Sequence, residues 1–516
     1  MRLILAYSSI LAIITPYTLL AFIVCVATAL LPSPPPPPPP PCSSPADCSL
    51  NGVCLQRVCV CDPGWIGISC EELLLGDSVA VILDGNGSTA SLPLPLRRSW
   101  SWGGSPIRDA RTGTWHLYFA WMEMKCGLLH YQTNSVVRHA ISTSASPVGP
   151  WRLLSVPALA PRKGNGVDPA AWDSGAIHGP EIAYDPTTKR YLLFYEATNH
   201  SSPMPDCRGS AQPPVVMVSS TRRIGLAWSV SIAEGEEEWH RLAYTAGTRS
   251  DRAASSPPHA LDGLILSPRA SPQWDSGDVS NAAPLVLANG TVLLGYRAGG
   301  DGVALGGGIG LARSDDWRTA RFLRPGDDAA AEGLPLPAGS PGNRALFAAE
   351  DAKLWQGRAR GGSGGAAASA SSAVIRPLHI LAHRFAAKNG STRGTQVGAH
   401  AWSVDGGWTW TLAPSAAYNT TVRWAATDGL RGSSTVTSND ANAPSAAPSA
   451  PFTLYRRERP KLVVDATSGT VSWLFNGAWP CHSGPENEDA IDSVTGCESF
   501  TIATNVVLLP GQVNKK

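Results

Sequence analysis

The sequence predicts an all-β chain: a five-bladed β-propeller preceded by a small disulfide-rich module and an N-terminal transmembrane or signal helix. Three observations carry this. Short runs of alternating apolar and polar residues recur in five copies behind similar polar entries, six cysteines crowd into residues 42–70, and Leu3 to Leu31 contains no charged residue. Composition sets the outer limits. The 516 residues hold 41 Lys+Arg against 40 Asp+Glu, a net charge of +1, so no basic surplus exists to meet a phosphate backbone and no nucleic-acid partner is expected. With 51 Gly, 44 Pro and 43% hydrophobic residues, the chain is rich in turns yet supplied for a large core.

Residues 1–31 come first. About 20 apolar residues already span a bilayer, and the uncharged stretch here is about twice the apolar core of a cleavable signal peptide. Both an uncleaved signal-anchor and a long signal peptide with a site at Ala27-Thr28-Ala29 fit it. Arg2 precedes the stretch and the next basic residue is Arg57, which points the N-terminus to the cytosol. The expectation is a single-pass type II membrane protein of the Golgi or wider secretory pathway with its bulk lumenal or extracellular, or a secreted protein if the segment is cleaved. Residues 32–41, with Pro34 to Pro41 unbroken, read as a polyproline II stalk.

Cys42, Cys48, Cys54, Cys59, Cys61 and Cys70 follow in the pattern C-x5-C-x5-C-x4-C-x-C-x8-C. The segment holds no His and no paired C-x2-C knuckles, so disulfides rather than zinc are expected. Gly64 and Gly67 flank Trp65 in the last loop, where tight turns need a positive φ and an aromatic ring can serve as a small core. Residues 42–70 resemble an EGF-like domain. The resemblance implies the pairing Cys42–Cys54, Cys48–Cys59 and Cys61–Cys70 and the role of a spacer or contact surface; no acidic ligands precede the first cysteine, so calcium is not expected. Cys126, Cys207, Cys481 and Cys497 lie further on. Sequons at Asn86, Asn199, Asn289, Asn389 and Asn419 agree with an oxidising, glycosylating compartment.

Residues 72–509 carry the repeat. Trp115-His-Leu-Tyr-Phe-Ala, Tyr191-Leu-Leu-Phe-Tyr, Thr291-Val-Leu-Leu-Gly-Tyr, Leu378-His-Ile-Leu-Ala-His and Val471-Ser-Trp-Leu-Phe read as strands. Each follows another strand with a polar entry, starting at about 104, 179, 281, 350 and 458. Four of the copies go on to a third strand with small residues and a Ser; the last shows no clear third strand. Such units cannot bury their faces alone and stack around an axis. Insertions at Pro203–Arg222, Thr245–Asp275, Gly357–Ser372 and Thr427–Pro451 read as loops, with disorder expected near 357–373 and 427–451.

Innermost strands line a propeller's channel, so the entries converge although they are distant in sequence. The channel candidates are Trp102, Asp109, His178, Glu181, Asn281, Glu350, Asp351, Arg457, Glu458 and Arg459. Carboxylates from different blades suit glycoside chemistry, which needs two carboxyl groups around the bond, one protonated and one ionised. His178-Gly-Pro-Glu-Ile, Glu350-Asp-Ala-Lys-Leu-Trp355 and Arg456-Arg-Glu-Arg-Pro-Lys-Leu462 resemble blade starts of the arabinanase/levansucrase/invertase superfamily, which includes glycoside hydrolase family 43. The resemblance implies Glu350 as general acid, with Asp351 second. Where that family places its base, before a proline in the first blade, this chain has Ser105 and Pro106, with Asp109 the nearest acid; its third-blade Asp is replaced by Asn281 or an alanine, with Asp278 nearby. Either Glu181 or Glu458 takes over the missing role, or the domain binds glycans without cleaving them. Ser403-Val-Asp405-Gly-Gly407-Trp-Thr-Trp410 also matches the Asp-box turn of sialidase-like propellers, a structural motif. No phosphate-cradling loop or H-E-x-x-H is evident, so neither cofactor nor metal is expected. The partners expected are an oligo- or polysaccharide and, through the N-terminal segment, a membrane. The functions in view are a furanosidase-type glycosidase and a non-catalytic glycan-binding or adhesion protein.

Overall fold

The computed structural model describes residues 41–81, 100–162, 171–200, 204–208, 221–243, 261–299, 307–324, 327, 346–359, 376–385, 396–425, 451–465, 467–479 and 499–508. The N-terminal segment, the stalk up to residue 40, the predicted disordered stretches apart from 357–359 and 451, Cys481, Cys497, Asn86 and Asn389 lie outside these residues. Among the described residues no helix is long and apolar enough to cross a membrane.

The five expected copies form five antiparallel blades. Their innermost strands are Ser101–Arg108, Ala176–Asp185, Asp278–Val286, Glu350–Gln356 and Arg456–Val464, within a few residues of the predicted starts. Their second strands are Trp115–Met122, Arg190–Thr198, Val292–Gly299, Leu378–Phe385 and Val471–Trp479, and the third are Ser135–Ser142, Arg223–Ser229, Gly308–Ser314, Gln396–Ser403 and Phe500–Val506. The last copy therefore does have its third strand. Its next strand, Leu75–Val81, is donated from the other end of the chain and pairs antiparallel with Phe500–Val506, which closes the ring. Thr421–Trp424, just ahead of the predicted insertion at 427–451, runs parallel to Leu75–Val81 and extends that sheet.

The core is distributed around the ring, because each blade is apolar on both faces and buries them against its two neighbours. Phe194 and Leu226 of blade 2 meet Val279 and Leu294 of blade 3, and Leu117 and Phe119 of blade 1 meet Phe475 and Ala503 of blade 5. Ala283 and Leu293 of blade 3 likewise meet Leu354 and Ile380 of blade 4.

The cysteine module pairs as the EGF-like resemblance implies: Cys42–Cys54, Cys48–Cys59 and Cys61–Cys70. It is not a free spacer. Trp65 is buried with its ring centroid 6.4 Å from that of Trp355 and 4.9 Å from that of His400, and it shares a cluster with Leu462 and Leu474. The Leu73 amide donates to the Ala417 carbonyl (2.8 Å), and Arg358 pairs with Asp62 (3.3 Å). The module is thus packed onto blades 4 and 5, directly before the strand that closes the ring. A fourth disulfide, Cys126–Cys207, joins blade 1 to blade 2.

Candidate functional site

One irregularity repeats in all five innermost strands and builds the site. The pairing of first and second strands slips between Trp102 and Ser105, His178 and Glu181, Ser280 and Ala283, Glu350 and Lys353, and Glu458 and Lys461. Each slip contains a residue in the left-handed region, Gly103, Gly179, Asn281, Asp351 or Arg459, and in blade 1 Gly104 also has a positive φ. Such β-bulges re-aim side chains. At Gly179 an added Cβ would also have to displace the Arg459 guanidinium. Just ahead of each bulge, cross-strand pairs face one another at one level: Trp102 with Ala120, His178 with Glu196, Ser280 with Arg297, Glu350 with His383, and Glu458 with Gly477.

The bulges frame a cavity of about 210 Å³. Seven of the predicted residues line it: Trp102, His178, Asn281, Glu350, Asp351, Glu458 and Arg459. His383 Nδ1 donates to Glu350 (3.2 Å), and Arg297 Nε lies 3.2 Å from the other oxygen of that carboxylate. Asn281 donates to Asp351 through its side-chain amide, and Arg459 bridges Asp351 (3.5 Å) and Glu196 (3.0 Å). Glu458 has Arg456 at 3.8 Å. Burial pushes the Glu350 carboxyl up, but the hydrogen bond and charge of His383, together with Arg297, outweigh it and hold the group below its ordinary range. Burial and the Glu350 charge raise Asp351 despite Arg459, and burial with the charges of Glu350 and Asp351 raises Glu458 despite Arg456 and His383. His178 is pushed down to about 3 by burial and by Arg459, so it stands as a neutral imidazole, its Nδ1 bonded to the Ser135 hydroxyl (2.7 Å).

Three predicted residues do not line the cavity, which corrects the expectation that every polar entry faces it. Glu181 is fully buried beyond the bulge, paired with Lys353 and with Lys461 (2.9 Å). Asp109 sits at the far end of its strand, where it accepts from the Tyr191 hydroxyl (2.6 Å), the Arg111 amide (2.9 Å) and the Thr112 hydroxyl (2.9 Å). Asp185 and Asp465 fill the same place in blades 2 and 5 by capping their own turns, so Asp109 is a repeated turn residue. Arg457 points away, between Asn476 (3.0 Å) and Thr504 (2.8 Å), because neighbours along a strand face opposite ways. Ser105, where the sequence resemblance would place a base, accepts from the Ile182 amide (3.1 Å) and is buried.

Sequence reasoning missed Leu128, Leu129, Tyr131, Arg222, Arg297 and Arg456 among the lining residues, and His383 and Glu196 behind them. Part of this was recoverable. Glu196, Arg297 and His383 are charged or imidazole residues at equivalent positions of largely apolar second strands. Arg222, the last residue of the insertion Pro203–Arg222, reaches the cavity, paired with Asp278.

Glu350, Asp351, His383 and Glu458 each bring one ligand atom within 4.8 Å of the others, so these four could also hold a cation. Two other such groups consist mainly of cysteines already joined in disulfides. The Asp-box forms its turn, with Ser403 donating to Asp405 (2.7 Å) and the Trp410 indole to the Gly407 carbonyl (2.8 Å). Of the sequons described, Asn289 and Asn419 are exposed and Asn199 is half-buried.

Fold and site together define a five-bladed propeller with a charged axial pocket. No protein-family model matches the chain, and no curated protein matches it. Among solved structures it is similar to a protein of unknown function from Dyadobacter fermentans, at 12% identity over 84% of this chain and 99% of the other (TM-score 0.42). It is also similar to an endo-arabinase from Bacteroides thetaiotaomicron, at 12% identity over 82% and 99% (TM-score 0.38). A third is an alpha-L-arabinofuranosidase from Lactobacillus brevis, at 10% identity over 81% and 97% (TM-score 0.41).

Proposed function

We propose that this protein is carbohydrate-active and that its axial pocket cleaves a glycosidic bond with Glu350 and Glu458 as the working pair. The supporting observation is that two carboxyl groups on neighbouring blades meet in one cavity, in surroundings that push their proton affinities apart. Glu350, bonded to His383 and Arg297, is the more acidic of the two; Glu458, buried with Arg456 as a distant partner, holds its proton more tightly. On this reading Glu458 protonates the leaving oxygen and Glu350 is the carboxylate that acts at the anomeric carbon, so Glu350 exchanges the acid role that the family resemblance implies. Asp351 lies against both and favours the proton on Glu458. Asp109 and Glu181 are structural.

A glycan-binding protein without turnover is the second reading. It is favoured by one fact: blades 1 and 3 bring Trp102, Gly103 and Asn281 to the bulge level, so all three lining carboxyls come from blades 4 and 5. The disulfides of the module and Cys126–Cys207 support an oxidising compartment, lumenal or extracellular, for either reading. Attachment through residues 1–31 in a type II orientation belongs to the same proposal, as does glycosylation at the exposed Asn289 and Asn419.

The test is an assay of the protein, secreted from a eukaryotic host, on aryl furanosides, aryl pyranosides and plant or algal polysaccharides, beside Glu350→Gln and Glu458→Gln. Turnover lost in both variants, with sugar binding retained, supports the pair. A folded wild type that binds glycans and turns over none of them moves the assignment to the second reading.

A further inference from the structure

The cavity has two unlike walls. Blades 4 and 5 supply Glu350, Asp351 and Glu458; the lining also includes an apolar wall of Leu128, Leu129 and Tyr131. This wall comes from the segment joining the second and third strands of blade 1, residues 123–134, and it is fastened at several points. The Cys126–Cys207 disulfide ties it to blade 2, and the Cys207 amide donates to the Met124 carbonyl (3.1 Å). The carbonyl of Gln132 accepts from His200 Nε2 (2.7 Å), and the carbonyl of Glu123 accepts from the Asn134 side chain (2.8 Å). The Tyr131 ring rests 5.0 Å from that of His178, a second lining residue. At about 210 Å³ the cavity is smaller than the roughly 300–1,000 Å³ of sites that enclose drug-sized ligands. A single sugar ring is the carbohydrate unit that fits such a space. Its hydroxyl edge suits the arginines and carboxyls, and its C–H face suits an aliphatic and aromatic surface.

We propose that the disulfide-tethered segment 123–134 closes the channel mouth into a one-ring pocket, so that the protein takes terminal sugars from chain ends and does not act within chains. Leu128, Leu129 and Tyr131 are the specificity-determining residues, packing on the apolar face of the terminal ring, and Cys126–Cys207 positions them. This rests on the carbohydrate reading above. It adds the substrate class, chain ends, and a set of contacts that the charged wall does not provide.

The experiment uses the full chain from a secretory host and two probes: aryl furanosides and pyranosides, and arabino- and xylo-oligosaccharide ladders labelled at the reducing end. The expected result is release of free monosaccharide and stepwise shortening by one unit, with no internal fragments among early products. Tyr131→Ala is expected to raise KM about tenfold with kcat nearly unchanged, a split that loss of fold would not produce. Cys126→Ser/Cys207→Ser is expected to speed hydrogen exchange in residues 123–134, while the blade 1 strands stay protected, and to admit internal cuts. Internal fragments from the wild type, or an unchanged KM in Tyr131→Ala, overturn the proposal and leave the carbohydrate reading standing. Neither turnover nor binding of any probe by the folded wild type overturns the reading beneath it, and this proposal with it.

Discussion

Two levels of the same five innermost strands use glutamate in opposite ways. Ahead of the bulges, Glu350 and Glu458 line a cavity open to a ligand; three residues past the position equivalent to Glu350, Glu181 is sealed at 0% exposure between Lys353 and Lys461. Burial presses on both Glu350 and Glu181, and cations hold both low, yet the partners differ in kind. Lys353 and Lys461 both pair directly with Glu181, and their charges neutralise it in place. Glu350 is held by an imidazole and by a guanidinium that also reaches Asp278 (3.7 Å), within a set of three carboxyls that cannot all ionise without mutual cost. The lesson is that a carboxylate at a propeller entry becomes a site only where the bulge turns it to the cavity and its partners leave it unequal to its neighbours.

The largest expected effects test that contrast directly. Glu350→Gln and Glu458→Gln should each lower kcat by about 10²–10⁴-fold while the urea midpoint stays near that of the wild type. The wild-type rate should fall at low pH as Glu350 gains its proton and at high pH as Glu458 loses its own. Glu181→Gln should do the reverse, costing about 3–5 kcal/mol in urea unfolding because two lysines remain buried without their counter-ion. Equal stability of Glu181→Gln and wild type would erase the distinction between the levels.

Glu196 sharpens it through pH. Burial raises its carboxyl, but Arg459 and Arg222 overcome this and bring it to about 2 from 4.5. Between those values the unfolded chain takes the proton first, so the stabilisation is complete above about pH 4.5 and is lost as pH falls toward about 2. Its size is about 3 kcal/mol at most. Urea melts at about pH 5 and about pH 3 should show this slope in the wild type and its loss in Glu196→Gln.

Smaller effects are expected away from the axis. Cys61→Ala/Cys70→Ala opens a loop with a sequence separation of 9 and should cost about 2–3 kcal/mol. Because Trp65 is stacked on blade 4, the loss should appear in the melting of the propeller as a whole and not as a separate early transition. Asp109→Asn weakens a turn cap and should cost about 1 kcal/mol with kcat/KM unchanged, the outcome that separates it from the cavity carboxyls.

Much of the architecture was legible because it is local. Alternation over five to eight residues identifies a strand wherever it packs, and the entries Arg456-Arg-Glu-Arg-Pro and Glu350-Asp-Ala-Lys stand out because charge at a strand start must find a polar place. The closing strand was not legible: Leu75–Val81 looks like any short strand, and its partner Phe500–Val506 lies at the other end of the chain. Nor did the strands themselves announce Leu128, Leu129, Tyr131 or Arg222, since these come from connections whose apolar or basic residues show no period.

By itself, then, the amino-acid sequence determined five antiparallel units, their order, a cysteine module whose pairing followed from its spacing pattern by resemblance, and a set of polar entries bound to meet. Only the tertiary structure decided which of those entries face the cavity. Side chains alternate along a strand, and one left-handed residue at Gly103, Gly179, Asn281, Asp351 or Arg459 shifts that alternation by one. Whether a carboxylate then meets a lysine pair or an open pocket depends on what four other blades, distant in the chain, bring to the same level.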